Sequence, residues 1–170
     1  MRVFDIRRSQ FNPPCGTSFI DSCAFDPKYS PEHESAEQIR LLWKSGQVLI
    51  VIAHSTAKEI AHPNTPSAVK AEAATMFKTY ETLLTPREES RKRAMHVILT
   101  GNGNPDKVAA DATHVFDARK YGGCFVTTDY RILSKAKELS GVWPTLVIVK
   151  PSDWLSAYRA GASQVTPIKR

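Results

Sequence analysis

Four carboxylates, far apart along the 170-residue chain, have the types and positions to do chemistry together. Asp21 follows the apolar pair Phe19-Ile20, and Asp129 follows the run at residues 125–128. Acids that follow parallel strands meet at one edge of a sheet, so these two side chains should face a single crevice. Each acid also has a structural alternative, in which it caps the helix or turn that comes next.

Asp111 lies inside a helix predicted at residues 105–121, and a helical wheel places it at the edge of the apolar stripe. A carboxylate is costly to bury unless something compensates its charge, which favours a pocket beside the core. Asp106 and Asp117 fall on the opposite face and are interpreted as solvated acids. The apolar stripe consists of Val108, Ala112, Val115 and Phe116.

Glu59 and His114 each have two interpretations. Glu59 matches a capping box with Thr56, in which the glutamate bonds back to the start of a helix. Alternatively, Glu59 leans over the crevice from the first turn of the helix after the second strand. His114 lies one turn beyond Asp111 but farther from the stripe, so a solvated histidine is favoured there over a metal ligand.

Converging carboxylates point to a metal ion and to phosphate chemistry. Carboxylates without neighbouring bases repel one another, and some of them would take up protons. A hard divalent cation removes the repulsion, and Mg²⁺ and Mn²⁺ prefer oxygen ligands. Such an ion activates a bound water and neutralises charge on a phosphodiester. No set of histidines and cysteines has the spacing of a zinc site.

A parallel sheet is needed to bring these acids together, and the sequence contains suitable elements. Short apolar strands that alternate with helices indicate an α/β fold, with three α/β/α layers around a short parallel sheet. One domain is predicted over residues 1–160, followed by a tail at 161–170. Strands are predicted at 18–22, 48–53, 124–127 and 145–149, and helices at about 31–45, from Thr56, at 66–84, 86–100, 105–121, 130–139 and 152–159.

Composition and charge favour a globular protein with a polyanionic partner. Hydrophobic residues make up 42% of the chain and charged residues 24%, which argues against disorder. The net charge is +6, with basic clusters at Arg2, Arg7 and Arg8 and at residues 91–93. Such a balance suits nucleic acid, and the predicted phosphate-binding residues outside the crevice are Arg91, Lys92 and Arg93.

The location of the protein is predicted from what the sequence lacks. No apolar stretch is long enough to cross a membrane, and the charged N-terminus does not resemble a signal peptide. The three cysteines Cys15, Cys23 and Cys124 are odd in number and contain no CxxC pair, which favours small buried side chains over disulfides. A cytoplasmic protein without a membrane partner is expected.

With these acids, the sequence resembles the PIN-domain family, which includes the VapC-type ribonuclease toxins. The clearest segment is residues 111–129, with an acid in a helix, a glycine turn, an apolar strand and a Thr-x-Asp ending. Asp21 and Glu59 match the first acid and the glutamate of the family, and residues 149–155 resemble its last strand and helix. The resemblance covers roughly residues 18–155.

The resemblance implies an activity and a set of site residues. It implies a compact α/β/α fold and Mg²⁺- or Mn²⁺-dependent endonucleolytic cleavage of RNA, less often DNA. Asp21, Asp111 and Asp129 would hold the metal, and Glu59 would bind a second metal or position the water. Thr127 would be a supporting hydroxyl. The toxin members of the family also point to an antitoxin protein and a second copy of the chain as partners.

Two further classes of function were weighed against a nuclease. A non-catalytic PIN-like module would bind RNA or a protein without cutting it, although no acid of the set is missing. A haloacid-dehalogenase-type phosphatase is excluded, because Ser-Cys-Ala follows Asp21 without the second strand-end aspartate. The sequence also lacks a Walker loop and a Rossmann glycine fingerprint.

Overall fold

A computed structural model describes Pro13 and residues 16–162 of the chain. Several residues on which predictions were made lie outside this part. They are Arg2, Arg7, Arg8, Cys15 and the tail at 163–170.

The centre of the fold is a five-stranded sheet in which all paired strands are parallel, with the order β3-β2-β1-β4-β5. Phe19 pairs with Val51 on one side and with Phe125 on the other, so β1 is the central strand. The strands are β1 (Thr17–Ile20), β2 (Leu49–Ile52), β3 (Phe77–Lys78), β4 (Cys124–Val126) and β5 (Val147–Val149).

Helices cover both faces of the sheet, which confirms the predicted three-layer α/β/α fold. Successive strand residues point to opposite faces, so Ile20 and Val126 enter one core and Phe19 and Phe125 enter the other. Helices α1, α2, α3 and α8 pack into the first core, and α4, α5, α6 and α7 into the second. The helices are α1 (Glu32–Lys44), α2 (His54–Ile60), α3 (Ser67–Thr75), α4 (Pro86–Thr100), α5 (Ala109–Tyr121), α6 (Tyr130–Ser134), α7 (Ala136–Val142) and α8 (Pro151–Ala162).

The long helix predicted at residues 66–84 is wrong. Helix α3 ends at Thr75, and strand β3 follows it along the edge of β2. The backbone N–H of Thr79 then donates to the carbonyl of Ile52 at 3.2 Å, which extends the pairing. Strand pairing along the β2 edge therefore outweighs the helical preference of this segment, a tertiary effect that propensity alone does not capture.

The helix starts differ in how they are capped. Thr85 forms a capping box with Glu88 at the start of α4, and Asn104 caps the 3-10 helix Pro105–Val108 that precedes α5. At α1 and α3 the proline itself occupies the cap position, and no side chain caps the helix. The predicted helix at 130–139 is divided into α6 and α7 at Lys135.

Glu32 joins the starts of α1 and α8, and its ionisation should contribute to stability. Its carboxylate accepts hydrogen bonds from the backbone N–H and the hydroxyl of Ser152, both at 2.8 Å, and lies 3.1 Å from Lys150 Nζ. Burial raises the pKa of Glu32, but the Ser152 hydrogen bonds and Lys150 outweigh it and hold the pKa below its usual range.

Because the folded pKa is below the unfolded value, Glu32 stabilises the fold above about pH 5, and this stability is lost as pH falls through the folded pKa. Glu32→Gln should lower the free energy of unfolding by about 1 kcal/mol at neutral pH, after allowance for solvent screening. Urea titrations should show this difference disappearing in acid. Glu89→Gln, at an exposed position in the first turn of α4, is the control. An acid-independent difference would contradict the role of the charge.

Candidate metal centre

Asp21 lies directly after the central strand, at the carboxyl edge of the sheet, and is 4% exposed. Its Oδ1 accepts a hydrogen bond from the backbone N–H of Ser22 at 2.8 Å and caps the 3-10 helix Ser22–Phe25. Its Oδ2 accepts from Thr127 Oγ1 at 2.7 Å and from Cys23 Sγ at 3.1 Å. The capping role and the position at the carboxyl edge of the sheet, posed as alternatives from sequence, therefore occur together.

His114 is buried among the acids, so its interpretation as a solvated histidine is wrong. Its Nδ1 lies 3.4 Å from Asp21 Oδ1, and its Nε2 lies 3.6 Å from Glu59 Oε2. The side chain is held there because α5 packs against α2 as well as against the sheet. Glu59 itself has a half-exposed side chain, which leaves it open to solvent at the rim of the site.

The charges of Asp21 and His114 stabilise each other. Burial raises the pKa of Asp21, but contacts with His114, Thr127 and Cys23 outweigh burial and hold it below its usual range. Burial lowers the pKa of His114, but Asp21 and the charges of two further acids raise it above its usual value. The carboxylate form of Asp21 and the imidazolium form of His114 therefore favour each other.

The Glu59 side chain faces the turn after β1, and the capping box with Thr56 does not form. Helix α2 begins at His54, so Thr56 lies inside it and is fully buried. The Glu59 carboxylate instead accepts a hydrogen bond from Ser22 Oγ at 2.7 Å. Glu59 therefore contacts the turn that follows β1, which agrees with the alternative in which this side chain lies beside Asp21.

The guanidinium of Arg131 bridges the carboxylates of Asp111 and Asp129. Arg131 Nη2 lies 2.6 Å from Asp129 Oδ2 and 3.1 Å from Asp111 Oδ2. The contact with Asp111 does not have hydrogen-bond geometry, and Asp111 Oδ2 is buried without a hydrogen-bond partner among the described residues. Burial, followed by the charges of Asp129 and Asp21, raises the pKa of Asp111, although Arg131 opposes this.

Thr127 connects the two halves of the site. Its hydroxyl donates to Asp21 Oδ2 at 2.7 Å and accepts from the backbone N–H of Asp129 at 3.0 Å. The carboxyl edge of β1, β2 and β4 therefore holds two groups of side chains, Asp21 with Glu59 and His114, and Asp111 with Asp129 and Arg131. Among the described residues, only the first group has ligand atoms that all lie within 4.8 Å of one another, and the Thr127 hydroxyl links it to the second.

Asp106 and Asp117 behave differently from each other. Asp106 is exposed, as predicted. Asp117 is 3% exposed, so its interpretation as a solvated acid is wrong. Its Oδ2 accepts a hydrogen bond from Ser55 Oγ at 2.6 Å and lies 3.4 Å from His54 Nδ1. The face of α5 opposite the apolar stripe is covered by α2, which a wheel of α5 alone does not reveal.

The donor set fits a divalent cation. One oxygen of Asp21, one of Glu59 and one nitrogen of His114 all lie within 4.8 Å of one another. Asp111 Oδ2, which is not part of this group, is a buried acceptor without a hydrogen bond and lies beside Arg131. Carboxylate oxygens suit Mg²⁺ or Mn²⁺, and a neutral imidazole would add a nitrogen donor that Mn²⁺ accepts more readily than Mg²⁺.

Cys23 contacts the acid cluster, although only a small buried side chain was predicted at this position from the sequence. Besides donating to Asp21, its sulfur lies 3.2 Å from Thr127 Oγ1 and accepts from the backbone N–H of Thr128 at 3.4 Å. Burial, followed by the charge of Asp21, raises the pKa of the thiol to about 12. Its position two residues after Asp21 is the only signal in the sequence for this role.

The raised pKa predicts an unreactive thiol, because the thiolate is the reactive form. Iodoacetamide should label Cys23 in the folded protein at least tenfold more slowly than in the urea-unfolded chain. Peptide mass spectrometry measures the rate at this cysteine. Asp21→Asn removes the negative charge beside the sulfur and should speed labelling in the folded state. Equal rates for folded and unfolded protein would contradict the buried, acid-facing thiol.

The predicted phosphate-binding residues lie on α4, a different element from those that carry the four acids. The guanidinium of Arg91 lies 4.4 Å from the ring centre of Trp143, and Lys92 Nζ lies 6.0 Å from that of Phe116. Arg93 is exposed. Their role in binding nucleic acid stays a prediction.

Comparison with known protein families finds no matching family, and neither a curated protein nor a solved structure matches the chain. Between residues 16 and 162, no helix has both the length and the apolar character needed to cross a membrane. The chemistry of the acid cluster is therefore the basis for assigning a function.

Proposed function

We propose that the protein is a Mg²⁺- or Mn²⁺-dependent phosphodiester hydrolase that cleaves RNA, with the site organisation of a PIN-type nuclease. The observation that carries this proposal is the position of Asp21, Glu59, Asp111 and Asp129 at the carboxyl edge of a parallel sheet, in two groups that the Thr127 hydroxyl links. Such an edge is where open α/β folds bind their ligands.

Each residue of the site has a proposed role. Asp21, Asp111 and Asp129 would hold the cation, which would supply an activated water and neutralise charge on the phosphodiester. Glu59 binds a second cation or positions the attacking water, and the Ser22 hydroxyl, at 2.7 Å, keeps its carboxylate in place. Thr127 keeps Asp21 oriented through the 2.7 Å hydrogen bond.

A cleavage assay tests the proposal directly. Labelled single-stranded and hairpin RNAs are incubated with the protein in Mg²⁺, in Mn²⁺ and in chelator. Metal-dependent internal cleavage that is lost in Asp21→Asn and kept in Asp106→Asn supports the proposal. Equal cleavage by Asp21→Asn and Asp106→Asn would contradict the role of Asp21, and absence of cleavage by the unaltered protein in both metals would contradict the catalytic role.

A non-catalytic PIN-like binding module is the second candidate, and one observation favours it. Arg131 places a positive charge against Asp111 and Asp129, and a protonated His114 would do the same for Asp21 and Glu59, which reduces the need for a metal. A calorimetric Mn²⁺ titration separates the candidates. A nuclease should bind Mn²⁺ in the absence of RNA, whereas a module with permanent internal cations should bind RNA but not Mn²⁺.

RNA binding should weaken as salt is added, because the +6 chain displaces counterions from phosphates. Filter binding in chelator, from about 0.05 to 0.2 M salt, should show a linear fall of log affinity with log salt. Replacing both Arg91 and Lys92 by glutamine should reduce the slope if these side chains contact phosphates. A flat response would mean that the basic balance does not serve substrate capture.

A further inference from the structure

Arg131 occupies the mouth of the acid cluster and is its most exposed cation. It is the second residue of α6, and its backbone N–H donates to Asp129 Oδ1 at 2.7 Å. Its side chain contacts both oxygens of the same carboxylate, with Nε at 3.3 and 3.2 Å and Nη2 at 2.6 Å. The same Nη2 also lies 3.1 Å from Asp111 Oδ2.

The guanidinium and a divalent cation would compete for the same oxygens. Asp111 and Asp129 repel each other without a positive charge between them, and Arg131 supplies that charge in the metal-free protein. A divalent cation bound by these carboxylates needs the same oxygen lone pairs that now face the guanidinium. Arg131 must therefore move when such a cation binds.

The surroundings of Arg131 allow this movement. Its side chain is 58% exposed, whereas that of His114 is 3% exposed. Among the described residues, Asp129 and Asp111 are the only side chains in hydrogen-bond or ion-pair contact with the guanidinium. Because the backbone hydrogen bond to Asp129 holds the start of α6, the long side chain can turn outward without moving the helix.

We propose that Arg131 is a displaceable counterion, which closes the acid cluster in the metal-free protein and turns to a phosphate of the RNA once a divalent cation takes Asp111 and Asp129. This inference rests on the proposed function. A released guanidinium at the mouth of the site presents a planar pair of donors, which suits the two free oxygens of a phosphodiester. The residue thus links metal entry to substrate binding.

The proposal makes opposite predictions for metal and for RNA. Arg131→Gln removes the competing cation, so the variant should bind Mn²⁺ roughly tenfold more tightly in a calorimetric titration without RNA. The same variant should show a roughly tenfold higher KM for RNA in saturating Mn²⁺, with kcat changed much less. Arg131→Lys keeps a charge but loses the fork, so it should restore the weaker Mn²⁺ binding without restoring KM.

Arg87→Gln is the matched control, because Arg87 is also the second residue of a helix and is exposed. Thermal melts in chelator establish that each variant is folded. Equal Mn²⁺ affinity in Arg131→Gln and Arg87→Gln would overturn the competition, and an unchanged KM would overturn the phosphate contact. Absence of Mn²⁺ binding in every variant, including the unaltered protein, would overturn the proposed function and this inference with it.

Discussion

Asp129→Asn should lower Mn²⁺ affinity and RNA cleavage together, each by tenfold or more, because it removes one anionic ligand of the proposed cation. Each tenfold corresponds to about 1.4 kcal/mol of lost stabilisation. The substitution preserves the shape of the side chain. Its amide oxygen can still accept the hydrogen bond from the backbone N–H of Arg131, which caps α6 and measures 2.7 Å.

The matched control for this variant is Asp106→Asn, because Asp106 is exposed and lies outside the acid cluster. Calorimetry with Mn²⁺ and cleavage of labelled RNA are compared for both variants, alongside thermal melts in chelator. Equal activity in the two variants would refute the role of Asp129 in catalysis. Loss of folding in Asp129→Asn would favour a purely structural cap.

Asp117→Ala should cause a large loss of stability that has no direct connection with the metal. The Ser55 hydroxyl donates to the Asp117 carboxylate at 2.6 Å, and the substitution leaves this partly buried hydroxyl without its acceptor. It also opens a small cavity beside α2. An unsatisfied buried polar group costs about 1–3 kcal/mol, so the melting temperature should fall by roughly 2–12 °C for a chain of this size.

Asp106→Ala serves as the control for the stability experiment and should change the free energy of unfolding by less than about 0.5 kcal/mol. Asp117→Asn should lie between the two, because burial raises the pKa of Asp117 despite the Ser55 hydrogen bond, and an amide oxygen can still accept that bond. Equal melting temperatures for Asp117→Ala and Asp106→Ala would contradict the buried hydrogen bond.

The fold and the acids at the strand ends could be predicted because both depend on local patterns. Continuous apolar runs mark strands buried on both faces, and the strands predicted at 18–22, 48–53 and 124–127 overlap the observed β1, β2 and β4. An acid just after a parallel strand is then expected at the carboxyl edge of the sheet. Asp21 and Asp129 follow from this rule without any knowledge of the packing.

The surroundings of α5 could not be predicted because they depend on several neighbours at once. A helical wheel assumes one buried face and one solvated face. Helix α5 instead packs against α4, α2 and β4. His114 and Asp117, both assigned to solvent from the wheel, are therefore 2% and 3% exposed.

The partners of the two strand-end acids also escaped prediction. Cys23 and Arg131 each stand two residues after such an acid, where a tight turn folds the side chain back onto the carboxylate. The turn geometry that produces this contact is specified by the 3-10 helix after β1 and by the start of α6.

A crystal structure of the protein soaked in Mn²⁺ tests the central claim most directly, because anomalous scattering locates the ion without reference to activity. The account predicts an anomalous peak about 2.0–2.3 Å from oxygens of Asp21, Asp111 and Asp129. It also predicts that Arg131 has moved away from both of the last two carboxylates. A Mn²⁺-soaked crystal without a peak at these oxygens, in which Arg131 still bridges Asp111 and Asp129, would contradict it.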